Sequence, residues 1–161
     1  MRRVWPNCDM RPATSRLSCR KGGKHESSYQ VETHLLGNVG SMGARILVVD
    51  DEEIVIKSCL RILGGDYEVE AAHGGREALR KVEQNPYDVM ILDITMPDMS
   101  GLEVLRRIKE THPNLDVIMV TGLPENATVV EAKKLGASDY ISKPFEPDEL
   151  KLIVQRALGR R

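Results

Sequence analysis

Residues 46–51 read Ile46-Leu47-Val48-Val49-Asp50-Asp51, a run of four aliphatic side chains that ends abruptly in two carboxylates. Similar apolar runs occur at residues 89–92 and 117–120, and the first of these is also followed by an aspartate. A strand that is apolar throughout is typical of a parallel sheet covered on both faces. The three runs therefore predict buried strands of an α/β protein.

Two further strand-like runs, at 67–71 and 140–142, alternate with amphipathic helical stretches around these three. This alternation predicts a parallel sheet with crossover helices. The first helical stretch has apolar residues spaced i, i+3, i+4 and i+7, namely Ile56, Cys59, Leu60 and Leu63. The last repeats that spacing with Leu150, Ile153, Val154 and Ala157. We expect a doubly wound, flavodoxin-like α/β fold with a five-stranded parallel sheet in the order 2-1-3-4-5.

The helical stretch after Pro124 has the weakest apolar pattern of the chain. Its apolar residues are small and irregularly spaced: Ala127, Val130, Ala132 and Leu135. We expect this helix to be the least firmly packed and the most able to shift. Helix ends are predicted at Gly64-Gly65, Asn85-Pro86, His112-Pro113 and Gly136.

Composition places the chain among globular proteins and separates off its first 41 residues. Of its 161 residues, 41% are hydrophobic and 29% are charged, and no aliphatic run approaches the roughly 18–20 residues of a membrane-spanning helix. Residues 1–41 carry seven Lys or Arg and three acids, whereas residues 42–161 carry sixteen and twenty-one. We predict a disordered basic leader over 1–41 and one folded domain over 44–161. Met42 is an alternative start, which would leave the leader out of the native protein.

Cysteine usage indicates a reducing compartment. The three cysteines, Cys8, Cys19 and Cys59, are an odd number and widely spaced, which is not typical of a disulfide framework. With no export signal in the sequence, we expect a cytoplasmic protein. Zinc binding by Cys8, Cys19, His25 and His34 is an alternative for the leader, but their spacing matches no usual zinc-finger pattern.

Carboxylates stand at the carboxyl ends of two predicted strands. Asp50 and Asp51 follow the first strand, and Asp93 follows the third. In the order 2-1-3-4-5 these strands flank the point where the winding reverses, which is where open α/β sheets bind ligands. Such a cluster of like charges is favourable only with a cation, and hard oxygen ligands suit Mg²⁺. Each aspartate taken singly could instead be an ordinary turn or cap residue.

Two more polar residues close the same end of the sheet. Thr121 follows the fourth predicted strand and Lys143 follows the fifth. A metal ion, a hydroxyl and an ammonium group around one aspartate are the set that an acyl phosphate requires. Asp93 is the predicted nucleophile.

Four groups of residues follow one another along the sequence, each at the end of a predicted strand. They are Ile46-Leu47-Val48-Val49-Asp50-Asp51-Glu52, Leu92-Asp93-Ile94-Thr95-Met96-Pro97 with Ser100-Gly101, Val120-Thr121-Gly122, and Gly136-Ala137 with Asp139-Tyr140 and Lys143-Pro144-Phe145. From about Arg45 to Leu158 the sequence resembles the receiver domain of response regulators in two-component signalling.

The resemblance implies a site in which Asp93 accepts a phosphoryl group from a phosphohistidine and becomes 4-aspartylphosphate. It implies that Mg²⁺ is bound by Asp51, Asp93 and the backbone carbonyl of Thr95, with Asp50 acting through water. Lys143 would pair with the phosphoryl oxygens.

The resemblance also implies a conformational switch. Thr121 would move toward the phosphoryl group, Tyr140 would turn inward behind it, and the face of the fourth helix, fifth strand and fifth helix would change. The Lys143-Pro144 peptide bond would be cis. The alternative for Tyr140 is a half-buried strand residue with its hydroxyl in water.

The positions that set dephosphorylation rate in this family are Thr95 and Leu123 here. Neither is a carboxylate or amide that could readily orient an attacking water. We therefore hypothesise a phosphoryl group that is not especially short-lived.

The implied partners are a sensor histidine kinase or a histidine phosphotransfer protein, and an unidentified downstream protein. Because only residues 159–161 follow the last predicted helix, we expect a stand-alone receiver, with neither nucleic acid nor membrane as partner. Such a regulator is not an enzyme in the ordinary sense, since it catalyses only its own phosphorylation and dephosphorylation. Relay and effector roles both remain open.

Two alternatives belong to other functional classes. A metal-dependent phosphohydrolase with an aspartate nucleophile would need an Asp-x-Asp pair, and Thr95 stands where the second acid should be. A receiver-like module that binds partners without phosphorylation is the other.

Overall fold

Five strands and five helices alternate in the computed structural model, which describes residues 43–122 and 126–160. The strands are β1 (Arg45–Val49), β2 (Glu68–Ala72), β3 (Val89–Asp93), β4 (Asp116–Thr121) and β5 (Asp139–Ser142). The helices are α1 (Glu53–Leu63), α2 (Gly75–Gln84), α3 (Gly101–Thr111), α4 (Asn126–Lys134) and α5 (Pro147–Leu158).

All five strands are parallel, and their order is β2-β1-β3-β4-β5. This confirms the sheet order expected from the sequence. Along the carboxyl edge, Val49 pairs with Leu92, and Asp93 pairs with Val120. The residues that end β1, β3 and β4 therefore lie at nearly the same height, which brings their polar side chains to one edge of the sheet.

The sheet buries apolar side chains on both faces, because successive residues of each strand point to opposite sides. On one face, Leu47, Met90 and Val117 pack in a cluster with residues of α2, α3 and α4. On the other face, Val48, Ile91 and Ile118 pack with residues of α1 and α5. Helices on both faces explain why the central strands are apolar throughout.

Several strand ends differ by one residue from the prediction. β2 begins at Glu68 and not at Tyr67, because the Tyr67 N–H donates to the Leu63 carbonyl at 3.0 Å and so completes the turn after α1. Asp93 and Thr121 were predicted to follow their strands, but each is the last residue of its strand. Both stay in the ladder because β4 and β5 extend alongside them.

Helix α4 is packed as weakly as its sequence pattern predicts. Among residues 127–134, Ala132 is the buried side chain, and Val130 is 50% exposed. Helices α1, α2 and α3 end before Gly64, Asn85 and His112, as predicted.

The predicted leader, residues 1–41, lies outside the described residues, and so do its candidate zinc ligands. None of the helices within residues 43–122 and 126–160 is long and apolar enough to cross a bilayer.

Candidate functional site

Asp93 lies at the carboxyl end of β3 and is 4% exposed. Its Oδ2 accepts the Thr95 N–H at 2.7 Å, and its Oδ1 lies 3.0 Å from the Lys143 ammonium. Burial raises the pKa of Asp93 above its ordinary value, and hydrogen bonding and attraction to Lys143 offset part of that rise. The structure thus holds a desolvated carboxylate in a fixed orientation beside a cation.

Lys143 directly follows β5, and its backbone N–H donates to the Thr121 carbonyl at 2.7 Å. The peptide bond from Lys143 to Pro144 is cis. The Lys143 Nζ lies 2.7 Å from Asp50 Oδ2 and 3.1 Å from Glu52 Oε1, in addition to its contact with Asp93 Oδ1. Burial opposes the charge on Lys143, but hydrogen bonds to these three carboxylates outweigh burial and hold its pKa above the ordinary value.

The two neighbouring aspartates that follow β1 have different surroundings. Asp50 is 2% exposed, and its Oδ1 accepts the Glu52 N–H at 2.8 Å. Asp51 is exposed and lines a cavity that opens beside Asp93. Convergence of all three carboxylates on one metal ion was predicted from the sequence, and it stays a prediction. In the structure the Lys143 ammonium joins Asp50 to Asp93, and the described residues contain no ready-made cluster of three or more His, Cys, Asp or Glu side chains around a metal position.

This cavity at the carboxyl edge of the sheet has a volume of about 490 Å³. It is lined by Asp51, Glu52, Asp93, Ile94, Thr95, Thr121, Gly122, Thr128 and Lys143. A larger cavity of about 700 Å³ lies at the opposite edge, near the starts of β3 and β4, and Asp116 is the one carboxylate among its lining residues. The smaller cavity therefore differs from the larger one in bringing three carboxylates, those of Asp51, Glu52 and Asp93, together with the Lys143 ammonium.

The donor set of the smaller cavity fits Mg²⁺. This ion prefers oxygen ligands and commonly takes one or two carboxylates while keeping several waters. Asp51 and Asp93 supply carboxylates, and Thr95 lies in the same lining. Asp93 Oδ2 accepts the Thr95 N–H and Oδ1 contacts Lys143, and because a carboxylate oxygen can accept more than one bond, these two contacts are compatible with a bound cation.

The two predicted switch residues lie at different depths. Thr121 is buried at the end of β4 and lines the cavity. Tyr140 lies on β5 and is 41% exposed, and its ring centroid is 5.8 Å from the Lys133 ammonium of α4. Its ring therefore lies on the outer side of the sheet edge, against α4. Leu123, the second position linked to dephosphorylation, lies outside the described residues.

Sequence reasoning missed two residues of this cavity. Glu52 reaches Lys143 with its carboxylate, although it also starts α1 and could have capped that helix. Its position next to Asp51 was the available signal. Thr128 of α4 lines the cavity too, but no pattern in the sequence shows which face of so irregular a helix points there.

The family profile described as the response regulator receiver domain matches residues 46–155 of the sequence. This match covers well over half of the chain, and it runs from the second residue of β1 to Gln155 in α5. The chain therefore belongs to the response regulator receiver domain family. Members of this family are regulators in two-component systems and not classical enzymes, and response regulators interact with histidine kinases and with downstream targets.

Three curated relatives differ in how much of their own length the match covers. The chemotaxis protein CheY of Thermotoga maritima is 37% identical over 112 residues, which are 68% of this chain and 92% of CheY. The regulatory protein AtoC of Escherichia coli is 42% identical over 117 residues, 71% of this chain and 25% of AtoC. The response regulator MprA of Mycobacterium ulcerans is 41% identical over 121 residues, 74% of this chain and 52% of MprA. The chain thus spans a quarter of AtoC, about half of MprA and nearly all of CheY.

Solved structures agree with this assignment. A CheY-like receiver domain protein from Methanospirillum hungatei superposes with a TM-score of 0.71 at 36% identity, over 73% of this chain and 94% of the other. The BeF3-activated receiver domain of DrrB superposes with a TM-score of 0.69 at 36% identity, over 74% of this chain and all of that domain.

Proposed function

We propose that this chain is a phosphoacceptor switch that takes a phosphoryl group onto Asp93 in a Mg²⁺-dependent reaction. The donor is a phosphohistidine on a sensor histidine kinase or on a histidine phosphotransfer protein. The observation that carries the proposal is the position of the Asp93 carboxylate: it is 4% exposed, yet it lines an open cavity and lies 3.0 Å from the Lys143 ammonium.

In the proposed step, an Asp93 oxygen forms a bond to phosphorus as the bond from phosphorus to the donor histidine nitrogen breaks. The electron pair of the broken bond stays on the imidazole. Thr95 orients the carboxylate through its N–H, and Lys143 stabilises the negative charge spread over the phosphoryl oxygens. Both groups are in place before the donor arrives, so little reorganisation is needed.

Mg²⁺ would be held by Asp51, Asp93 and the Thr95 carbonyl, with Asp50 acting through water. When bound, the ion neutralises charge on the phosphoryl oxygens. Because Lys143 already neutralises part of the charge of Asp50 and Asp93, the role of Asp51 is to supply the exposed carboxylate at the mouth of the cavity.

The phosphoryl group then shifts the chain between two states. Thr121 moves toward the new dianion and Tyr140 leaves its outer position for the space behind Thr121, so that the face of α4, β5 and α5 changes. Support comes from the loosely packed α4 and from the exposed ring of Tyr140, which contacts Lys133 of that helix. The changed face signals to a downstream protein, or the chain relays its phosphoryl group onward. We place this activity in the cytoplasm, where the kinase domains of such systems act.

The test is to incubate the protein with acetyl phosphate and Mg²⁺ and to measure its intact mass. We expect one phosphoryl adduct that is lost in EDTA and in Asp93→Asn. Asp66→Asn is the matched control, because Asp66 is exposed in the turn after α1, beside Lys151, and its loss should leave the adduct unchanged. No adduct on folded wild-type protein would overturn the proposal and leave a receiver-like binding module as the function. Loss of the adduct in Asp66→Asn as well would show that the assay reports folding and not the acceptor.

A further inference from the structure

Helix α2 is capped at its N-terminus by a residue from a different part of the chain. Its N-cap is Gly74, which has no side chain to accept the first N–H groups. The Gly75 N–H donates instead to Asp98 Oδ1 at 3.0 Å, and the Arg76 N–H donates to Asp98 Oδ2 at 3.0 Å. Asp98 belongs to the loop between β3 and α3, so one carboxylate joins that loop to α2.

Side chains of the loop and of α3 pack closely against the start of α2. A β-carbon added to Gly74 would stand 2.8 Å from both carboxylate oxygens of Asp98. One added to Gly75 would stand 2.6 Å from Cγ2 of Val104 in α3 and 3.0 Å from the β-carbon of Met99. Glycine at these two positions therefore suits the close packing of the Asp98, Met99 and Val104 side chains, and the extended backbone of Gly74, whose φ is 176°, does not itself require glycine.

The loop that Asp98 anchors also carries groups of the phosphoacceptor site. Residues 94–100 are in neither helix nor strand, and they connect Asp93 to α3. They include Thr95, whose N–H orients Asp93 and whose carbonyl is proposed to bind Mg²⁺. Other contacts also hold this loop: the Ile94 N–H donates to the Val120 carbonyl at 3.0 Å, the Gly101 N–H donates to the Ile94 carbonyl at 2.9 Å, and the side chains of Ile94, Met96 and Met99 pack against the core.

Electrostatics strengthens the anchor. Several backbone N–H groups lower the pKa of Asp98, and the hydrogen bond from the Arg76 N–H has the largest effect. The carboxylate is therefore charged at neutral pH. A charged acceptor at a helix N-terminus is stabilised by the helix dipole, and hydrogen bonds to a charged group are stronger than neutral ones. Asp98 is thus the one described side chain in the loop that ties it to α2 by charge-assisted bonds.

We propose that Asp98 is a positioning residue for phosphoryl transfer, which holds residues 94–100 against α2 so that Thr95 and Asp93 keep their places in the cavity. This inference rests on the proposed function of Asp93. It also makes α2 part of the support of the site, on the sheet edge away from α4, β5 and α5. Groups that hold metal ligands in place commonly change metal affinity roughly 10–100-fold when they are removed.

The test separates positioning from helix capping by restoring the cap without the junction. Asp98→Ala removes both. In the double variant Asp98→Ala with Gly74→Ser, serine occupies the N-cap position and fills space that the carboxylate has left, so it can cap α2 locally. Its hydroxyl bonds only to α2 and does not reach the loop. Glu77→Gln is the matched control. Glu77 lies in the first turn of α2 and accepts the His73 N–H at 2.9 Å, so its hydrogen bond is to a residue before the helix and not to the loop.

Three quantities are measured on each protein: the urea midpoint of unfolding, Mn²⁺ binding by electron paramagnetic resonance, and the rate of phosphorylation by acetyl phosphate. We expect the double variant to regain most of the stability lost by Asp98→Ala, yet to bind Mn²⁺ roughly tenfold more weakly and to be phosphorylated correspondingly more slowly than wild type. Glu77→Gln should keep wild-type Mn²⁺ affinity and rate.

Recovery of Mn²⁺ affinity and rate together with stability would show that Asp98 is only a helix cap and would overturn the inference. Wild-type affinity and rate in Asp98→Ala itself would overturn it too. If Asp98→Ala does not fold, the double variant and Asp98→Asn, which keeps one acceptor oxygen, carry the comparison. A wild-type protein that binds Mn²⁺ but takes no phosphoryl group would overturn the proposed function, whereas the Mn²⁺ comparison would still decide the role of Asp98.

Discussion

Lys143 Nζ lies 3.0 Å from Asp93 Oδ1, so that the ends of β5 and β3 are joined across the strand that separates them. The same nitrogen lies 2.7 Å from Asp50 Oδ2 at the end of β1. The ammonium group of Lys143, just after β5, therefore contacts carboxylates at the carboxyl ends of both β1 and β3. This arrangement stabilises two buried carboxylates and also places a cation where a phosphoryl group on Asp93 would need one.

Removing the ammonium should destabilise the fold. Lys143→Met leaves Asp50 and Asp93 as uncompensated buried charges, so we expect a loss of about 3–5 kcal/mol in the free energy of unfolding at neutral pH in EDTA. Urea unfolding measures it. Lys151→Met is the control, because Lys151 and Asp66 form a half-exposed pair at 3.4 Å and its removal should cost at most about 1 kcal/mol. Equal small losses in both variants would contradict this account of Lys143.

Gly101 should not tolerate a side chain, because α3 begins directly against the phosphoacceptor strand. An added β-carbon would lie 2.1 Å from the backbone carbonyl oxygen of Asp93. Backbone cannot yield as a flexible side chain would, so Gly101→Ala should destabilise the protein by about 1–3 kcal/mol and slow phosphorylation of Asp93. Gly65→Ala is the control, since nothing stands within 4 Å of its added β-carbon, and it should stay within about 0.5 kcal/mol of wild type. Equal stability of the two variants would count against the close approach.

The two leucines of α5 should differ sharply in their contribution to stability. Leu150 is fully buried among residues of α1 and the sheet, whereas Leu152 is 56% exposed. Leu150→Ala should cost about 2–5 kcal/mol, because it removes buried apolar surface and leaves a cavity. Leu152→Ala should cost about 0.5 kcal/mol or less. Thermal or urea unfolding of the two variants tests this, and a larger loss at Leu152 would mean that α5 is rotated from the position described.

Stability should fall at alkaline pH through Tyr87. Its hydroxyl donates to Glu70 Oε2 at 2.9 Å, and burial, followed by Glu70, raises its pKa from 10.0 to about 12. Because the folded-state pKa is raised, the contribution of the neutral hydroxyl is complete below pH 10 and is lost as pH rises toward 12. Unfolding experiments from pH 8 to 12 should show this loss in wild type and a smaller one in Tyr87→Phe. Identical pH profiles would rule out Tyr87 as the source.

Cys59 should be inert to alkylation in the folded protein. It is fully buried in the cluster with α5, and burial, with a smaller effect of Asp50, raises the pKa of its thiol to about 12. The reactive thiolate is therefore scarce and inaccessible. Iodoacetamide labelling followed by peptide mass mapping should leave Cys59 unmodified in buffer and modify it in urea. Equal labelling in both would show that α1 opens readily.

Much of the fold could be predicted because buried parallel strands leave a local pattern of apolar residues in the sequence. The apolar runs at residues 46–49, 89–92 and 117–120 identify central strands without any knowledge of contacts, since each needs cover on both faces. Errors were confined to strand ends, as at Tyr67, where a backbone bond to Leu63 competes with the ladder. Such bonds depend on three-dimensional neighbours, which no local pattern reports.

The site residues that lie at strand ends could be predicted from the sequence, because a strand pattern shows where each strand ends. Asp50, Asp93, Thr121 and Lys143 were all placed at the carboxyl edge by counting along strands, and the structure places them there. The contacts of Glu52 and Thr128 were not foreseen, and neither was the reach of Asp98 to α2. These depend on how helices and loops pack against the sheet, and the sequence spacing of such residues carries no periodic signal.

The sequence by itself determined the alternation of strands and helices, the apolar character of the central strands and the identity of the polar residues at their carboxyl ends. These are local properties, since hydrophobic period and strand length are properties of adjacent residues. Tertiary structure alone decided that Lys143 neutralises Asp50 and Asp93 together, that Asp51 remains exposed at the cavity, and that Asp98 caps a helix distant in sequence. The physical reason is that hydrogen bonds and ion pairs act over about 3 Å in space, whatever the separation along the chain.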